Sequence, residues 1–225
     1  MRVLVACEFS GIVRDAFRAR GHDAWSCDLR PCEAEDKRWH FQGDILSILP
    51  GGSVYHTMYL ENQTVGWDLL IGHPPCTYLC RTSEQWLNKQ DDRWQKMMDG
   101  IEFFKKLLNA RIPKIAIENP QPNSKAAALI GVPYTQAIHP NYFGDAATKR
   151  TCLWLKNLPP LVWQEESDLL GEQTTVEPEF VYSKRSGRKW GKWFWDSSML
   201  QGGAREKFRS KTFPGIANAM AAQWG

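Results

Sequence analysis

Trp67-Asp-Leu-Leu-Ile-Gly72 is a short apolar run, and together with the two segments that follow it decides the fold class. Residues 93–110 carry apolar side chains at helical spacing, and residues 115–117 form a second short apolar run. A buried strand, a helix and another buried strand in this order are typical of a parallel sheet flanked by helices. The sequence therefore predicts an α/β protein with a mostly parallel sheet.

The N-terminal part of the chain shows the same alternation. Residues 2–7 predict a first strand, residues 11–20 a helix that ends near Gly21, and residues 24–27 a second strand. In such a sheet, ligands bind at the carboxyl ends of the strands. We therefore expect the functional site among the residues that follow the predicted strands: Glu8-Phe-Ser-Gly11, Asp28, His73-Pro-Pro-Cys76 and Glu118-Asn-Pro120.

Composition and cysteine usage are those of an ordinary globular protein. The 225 residues are 43% hydrophobic and 24% charged, so we expect one domain with at most a small appendage. The first apolar run is too short for a secretory signal, and no later run approaches a membrane span, which favours a cytoplasmic protein without a membrane partner. The six scattered cysteines are expected to be reduced.

Cys76 lies on a turn that Pro74 and Pro75 make rigid. With basic groups or backbone N–H groups around it, this cysteine could be a nucleophile, and the residues alone leave a packing role equally open. A metal site is disfavoured, because His73, Cys76 and Cys80 have C-x3-C spacing and no second matching pair follows. We expect no metal.

Three carboxylates lie at the ends of predicted strands or in turns. Glu118 could act as a general acid or hydrogen-bond to the edge of a base, or it could simply end its strand. Asp28 follows the second strand, where many nucleoside-binding sheets hold ribose hydroxyls. Asp44 is either a further ligand or a turn residue. The first turn contains the single glycine Gly11, so it is not a phosphate-binding loop.

The order of these motifs resembles that of the cytosine-C5 DNA methyltransferases, and in particular a short, often virus-encoded branch of that family. The likeness extends to Thr148-Lys-Arg-Thr151, similar to the family's arginine-bearing strand, and to residues 212–220, similar to its closing segment. It covers nearly the whole chain apart from residues 159–201. The other motifs that carry it are Phe9-Ser-Gly11, Asp28, Gly43-Asp44-Ile45, Pro74-Pro75-Cys76 and Glu118-Asn119-Pro120.

The resemblance implies a Rossmann-like, S-adenosylmethionine-dependent methyltransferase fold and a role for each motif. Cys76 would attack C6 of cytosine, Glu118 would hold N3 and the exocyclic amine, and Arg150 would help to hold the base. A covalent bond at C6 is chemically reasonable, since C5 of cytosine is otherwise too weak a nucleophile to accept a methyl group. The residues expected to contact S-adenosylmethionine are Phe9, Gly11, Asp28, Asp44 and Pro74.

Several positions depart from the family pattern. Val13 stands where a second glycine is usual, Thr77 follows the cysteine where Gln is commoner, and Gly215-Ile216 replaces the usual Gly-Asn pair. The part that would read the target sequence is also short. We expect a catalytic domain of residues 1–158 and 202–225, with residues 159–201 as a small nucleic-acid-recognition insertion.

Residues 183–195 interleave five basic residues with four aromatics, in a chain whose net charge is +3. Such interleaving is typical of nucleic-acid binding, and a tryptophan-rich core strand with a solvated charged face is the alternative. So short a module predicts limited sequence specificity. The residues expected to contact DNA are Lys184, Arg185, Arg188, Lys189, Trp190, Lys192 and Trp193.

The sequence thus predicts transfer of a methyl group from S-adenosylmethionine to C5 of cytosine in DNA, after the base is flipped out of the helix. Close alternatives are a modified donor such as a carboxylated sulfonium, and a free nucleotide or single strand as acceptor. A catalytically silent domain that binds nucleic acid or a protein is a further alternative. The joint presence of Cys76, Glu118 and Arg150 argues against it. The oligomeric state is left open.

Overall fold

The structure is a computed structural model that describes residues 1–50, 66–87, 92–165, 174–184 and 186–225. Short strands with near-continuous apolar sequence account for most of its central sheet, as expected for strands covered on both faces. The strands are β1 (Arg2–Ala6), β2 (Asp23–Asp28), β3 (His40–Gln42), β4 (Leu69–Gly72), β5 (Lys114–Pro120), β6 (Gln136–Ile138), β7 (Thr151–Lys156), β8 (Phe180–Tyr182) and β9 (Lys189–Gly191).

Seven of these strands form one sheet with the order β3-β2-β1-β4-β5-β7-β6. Strands β1 to β5 run parallel to one another, and β7 runs antiparallel to both β5 and β6. The order reverses between β1 and β4, which is where open α/β sheets form a ligand crevice. The structure therefore confirms the predicted α/β fold class, a Rossmann-like, mostly parallel sheet flanked by helices.

Helices cover both faces of the sheet. They are α1 (Ile12–Ala19), α2 (Ile45–Ile48), α3 (Arg93–Leu108), α4 (Ser124–Ile130), α5 (Lys192–Met199), α6 (Gly202–Ser210) and α7 (Pro214–Trp224), with 3-10 turns at Arg81–Trp86 and Pro140–Phe143. In the part of the chain that the structure describes, no helix combines the length and apolar character needed to cross a membrane.

Alternation along β1 explains the two cores. Leu4 and Ala6 face one side of the sheet, where they join the cluster that includes Phe104 of α3. Val3 and Val5 face the other side, with Phe17 of α1 and the buried residues of α7. Successive strand residues point to opposite faces, so one apolar strand supplies both layers.

Strand β5 is longer than the sequence predicts. It continues through Glu118 to Pro120 because β7 pairs with it in antiparallel register, with Glu118 opposite Leu153. Glu118 therefore lies near the carboxyl end of an interior strand and is held by backbone pairing.

The first residues of the predicted insertion, residues 159–201, pack against the core of the large sheet. Leu161 is buried in the core, and Trp163 stacks on Tyr142 with ring centroids 4.6 Å apart. Strands β8 and β9 form a separate two-stranded sheet that leads into α5. The domain boundaries stay a prediction.

Candidate active site

A cavity of about 600 Å³ opens at the carboxyl edge of the sheet. It collects residues that are far apart in sequence because parallel strands end at the same edge. Five of the residues predicted from the sequence line this cavity, namely Phe9, Asp28, Pro74, Cys76 and Glu118.

The turn that carries Cys76 is fixed from two sides. The side-chain amide of Asn119 donates a 3.1 Å hydrogen bond to the carbonyl of Pro74. After the turn, the backbone N–H groups of Leu79 and Cys80 both donate to the carbonyl of Cys76 at 3.0 Å. These bonds hold the thiol of Cys76 at the cavity wall.

The electrostatic surroundings of Cys76 are mixed. Burial raises the pKa of its thiol to about 11, Cys80 and Glu118 raise it as well, and Lys149 acts in the opposite direction. Without a ligand the thiol is therefore protonated at neutral pH. Cys80 lines the same cavity, and its sulfur lies 3.2 Å from the hydroxyl of Thr82.

Glu118 forms a buried pair with His73. Nδ1 of His73 lies 2.8 Å from Oε2 of Glu118, and both side chains are less than a tenth exposed. Thr212 donates to the same oxygen at 3.4 Å. Burial alone would raise the pKa of Glu118, but the hydrogen bond and charge of His73, followed by the charge of Lys149, hold it well below its ordinary value. The carboxylate is therefore charged at neutral pH.

A second buried acid, Glu8, caps the first helix. Its carboxylate accepts hydrogen bonds from the backbone N–H groups of Val13 at 2.7 Å and Arg14 at 3.2 Å. Burial raises the pKa of Glu8, and the charge of His73 and these N–H groups offset part of that rise. Glu8 thus caps the N-terminus of α1 and lies near the His73–Glu118 pair.

Gly11, predicted to contact a cofactor, has a structural role in this helix start. Its φ of +75° lies in the left-handed region, and a Cβ there would come within 2.7 Å of the guanidinium of Arg14 and 2.8 Å of the Cβ of Ala34. Gly11 lines neither this cavity nor the smaller one beside it. Only glycine fits this position, whatever the ligand.

The smaller cavity, of about 240 Å³, has mainly apolar walls that include Cys27, Ile45 and Phe103. The predicted carboxylates Asp28 and Asp44 stand at its wall, and Asp28 lines both cavities. Asp44 also accepts a hydrogen bond from the N–H of Leu46 at 3.0 Å and so caps α2. The two cavities meet along shared residues, so one extended ligand could occupy both.

The structure places Lys149, and not the predicted Arg150, in the wall of the larger cavity. Lys149 Nζ donates to the carbonyl of Arg209 at 3.2 Å. The exposed guanidinium of Arg150 instead donates to the hydroxyl of Tyr134 at 3.1 Å. Both residues immediately precede β7, and only the side chain of Lys149 lines the cavity.

Helix α6 forms the outer wall of the cavity with Arg205 and Arg209, although none of its side chains is buried. Ion pairs connect it to the loop after β2. Arg30 lies 2.7 Å from Glu206, and both Lys207 and Lys211 pair with Glu33. Exposed pairs of this kind contribute about 0–1 kcal/mol each, so α6 is lightly held.

Those predicted nucleic-acid residues that the structure describes line neither cavity. The guanidinium of Arg188 lies 4.4 Å from the ring centroid of Trp190, which stacks on Phe194 at 5.6 Å. Lys189 lies 3.8 Å from the ring of Phe180, Lys192 pairs with Asp196 at 3.0 Å, and Trp193 packs near Phe213. Lys184 is exposed, and Arg185 lies outside the described residues.

The sequence does not single out several polar residues of this site, among them His73, Glu8, Lys149 and Thr212. The sequence marks His73 and Glu8 only by their places after predicted strands, and Lys149 directly precedes Arg150, which the resemblance indicates. Thr212 begins the segment that resembles the family's closing motif. Among the described residues, no three His, Cys, Asp or Glu side chains are grouped so as to hold a metal ion.

The chain matches no protein-family model, and no curated protein is significantly similar to it. Among solved structures, it is similar to a protein encoded within an E. coli prophage and provisionally named a DNA modification methyltransferase. The TM-score is 0.44 at 17% sequence identity, over 79% of this chain and 52% of that one. The chain thus spans about half the length of that structure.

Proposed function

We propose that this protein transfers a methyl group from S-adenosylmethionine to C5 of cytosine in DNA. The observation that carries the proposal is the larger cavity, where the thiol of Cys76, the charged carboxylate of Glu118 and the ammonium of Lys149 meet at the carboxyl edge of a Rossmann-like sheet.

The smaller cavity fits the nucleoside part of the donor. Ile45 and Phe103 offer an apolar slot for a purine ring, and Asp28 and Asp44 offer carboxylate oxygens for hydroxyl or amino groups. Phe9 and Pro74, in the larger cavity, are proposed to contact the methionine end. When bound, S-adenosylmethionine supplies the methyl group carried by its sulfonium sulfur.

Cys76 is proposed to activate the ring. Its sulfur bonds to C6 of cytosine, and the electrons of the C5–C6 double bond move towards N3, which makes C5 nucleophilic. C5 would then take the methyl group, and the donor would leave as its neutral thioether, S-adenosylhomocysteine. The C5 proton passes to water, and the electrons of the broken sulfur–C6 bond return to sulfur, which restores the aromatic ring and the thiolate.

Glu118 and Lys149 are proposed to stabilise the charges that this chemistry creates. A buried carboxylate beside N3 and the exocyclic amine favours a protonated N3, where negative charge would otherwise develop. The ammonium of Lys149 favours the thiolate of Cys76. Because Lys149 lines the cavity, we propose it for the base contact that the resemblance implies for Arg150.

The DNA is proposed to approach over α6 and the β8–β9 sheet. Arg205 and Arg209 face the cavity, and Arg188 and Lys189 extend the basic surface outwards. A base inside a duplex cannot reach a cavity of this kind, so the target nucleotide has to be flipped out of the stack.

DNA in which 5-fluorocytosine replaces cytosine tests the proposal, since every possible target site is then present. With S-adenosylmethionine, the wild-type protein should form an adduct that resists denaturation, because fluorine at C5 cannot leave as a proton. Cys76→Ser should form none and lose methyl transfer to ordinary DNA by several orders of magnitude. Cys80→Ser, whose thiol lines the same cavity, is the matched control and should trap normally.

Peptide mapping of the adduct gives the decisive readout. An adduct on Cys80, or undiminished methyl transfer by Cys76→Ser, would overturn the mechanism. Single-stranded DNA and deoxycytidine monophosphate, run in parallel, identify the acceptor. If cytosine is modified in none of the three substrates (duplex DNA, single-stranded DNA and the nucleotide), methyl transfer is ruled out and a binding domain is the alternative.

A further inference from the structure

His73 is a buried imidazole at the centre of the site, and the chemistry proposed above does not use it. It follows β4 directly, so the β4–β5 pairing, which sets Gly72 opposite Ile117, brings it beside Glu118. Its Nδ1 lies 2.8 Å from Oε2 of Glu118. Its Nε2 is buried and has no hydrogen-bond partner among the described residues.

The hydrogen bonds of Glu118 are unevenly distributed. Both His73 and Thr212 bind Oε2, at 2.8 and 3.4 Å. Within the described part of the chain, Oε1 is thus the oxygen that is left for a ligand, and Glu118 lines the cavity. A carboxylate bound through one oxygen presents the other at a fixed angle, which is what recognition of a base edge requires.

Three charged groups face His73: Glu118 on β5, Glu8 in the turn after β1, and Lys149 before β7. Burial alone would lower the pKa of His73, but the hydrogen bond and charge of Glu118, together with the charge of Glu8, raise it above its ordinary value, and Lys149 offsets part of the rise. His73 therefore lies between two buried acids, and Glu118 is the one that it hydrogen-bonds.

We propose that His73 is a positioning residue of the base site, whose imidazolium holds Oε2 of Glu118 so that Oε1 faces the target ring. The inference rests on the proposed function for the identity of that ring. The imidazolium also offsets the charge of Glu118 beside Cys76, and so the thiolate can form next to a carboxylate.

Two variants separate the hydrogen bond from the charge. In His73→Asn, the amide nitrogen can take the place of Nδ1, so the donor stays and the charge is lost. His73→Leu loses both. We expect adduct formation with 5-fluorocytosine DNA to fall about 100-fold in His73→Leu and no more than about 10-fold in His73→Asn, with DNA affinity unchanged in both.

The pH profile is the readout that a merely structural role would not change. In the wild-type protein, the adduct rate should rise with pH as Cys76 ionises and fall again as His73 loses its proton. In His73→Asn the alkaline fall should disappear. A bell-shaped profile that persists in His73→Asn, or a full rate in His73→Leu, would overturn the inference.

An NMR titration of the histidines tests the pair without any enzymatic activity. The imidazole of His73 should titrate above 6.5, its ordinary value, and Glu118→Gln should lower its pKa. His139, whose pKa burial and Arg150 lower, is the internal control and should not respond. If no DNA is modified the proposed function fails, and the titration still decides on the pair. The inference is wrong if the pKa of His73 is at or below 6.5, or if Glu118→Gln does not change it.

Discussion

The side-chain amide of Asn119 donates a 3.1 Å hydrogen bond to the carbonyl of Pro74, which ties the strand that carries Glu118 to the turn that carries Cys76. Asn119 is only 1% exposed, so water cannot replace this bond. The relative positions of thiol and carboxylate therefore depend on a residue proposed to touch neither substrate nor donor.

Asn119→Ala should separate the two groups. We expect a loss of about 1–3 kcal/mol in the free energy of unfolding, because the carbonyl of Pro74 is left buried without this partner. Adduct formation should fall about 100-fold, since small misplacements of reacting groups have large effects on rate. Asn109→Ala, on the exposed end of α3, is the control and should change neither quantity by much. Urea denaturation and trapping kinetics measure both.

Asp28→Ala should weaken donor binding. Asp28 lines both cavities, and loss of its carboxylate removes hydrogen bonds proposed for the ribose hydroxyls, at a cost of about 1–3 kcal/mol in binding free energy. Titration calorimetry with S-adenosylmethionine measures the change. Asp99→Ala, an exposed carboxylate on α3, is the matched control. Wild-type affinity in a folded Asp28→Ala protein would remove this residue from the donor site.

The basic surface should show itself in the salt dependence of DNA binding. Replacing Arg188 and Lys189 by Gln should reduce the slope of log affinity against log salt by about one to two units, because each phosphate contact releases counterions. Lys96 and Lys106, paired with Asp92 and Glu102 on α3, provide a control double variant of equal charge. An unchanged slope for the Arg188 and Lys189 variant would show that these residues do not contact phosphates.

The sequence predicts the sheet well because its strands are buried on both faces. The runs that became β1, β4 and β5 are almost wholly apolar, and such runs between helical segments have few alternatives. The functional turns follow from the same logic, since strand ends in a parallel sheet share an edge. The three-residue strands β3 and β6 carry too little pattern to be recognised.

The details of the site depend on register, which sequence patterns do not give. His73 and Glu118 meet because Gly72 pairs with Ile117 across 45 residues of chain, and a shift by one residue would turn Glu118 to the other face. The choice between Lys149 and Arg150 is a difference of one position at the start of β7, so the motif could be placed but not the side chain that faces the cavity.

The His73–Glu118 pair should make stability depend on pH within a definite window. His73 has a raised pKa in the folded protein, so its contribution is complete below 6.5, its ordinary value, and is lost as pH rises through the folded value. Glu118 has a lowered pKa, so its contribution is complete above 4.5, its ordinary value, and is lost as pH falls through the folded value. Both contributions are therefore complete between these two ordinary values.

Glu118→Gln reveals the window as a difference from the wild-type protein. Removing one partner of a buried ion pair leaves the other uncompensated. At about pH 5.5, the free energy of unfolding of Glu118→Gln should therefore lie about 3–5 kcal/mol below that of the wild type. Above the folded pKa of His73 the imidazole of the wild type has lost its charge, and the difference should be clearly smaller. Glu102→Gln breaks the exposed pair with Lys106 and should show only a small difference at both pH values. Urea titrations of the three proteins at the two pH values measure this, and a difference for Glu118→Gln that grows towards alkaline pH would contradict a charged pair.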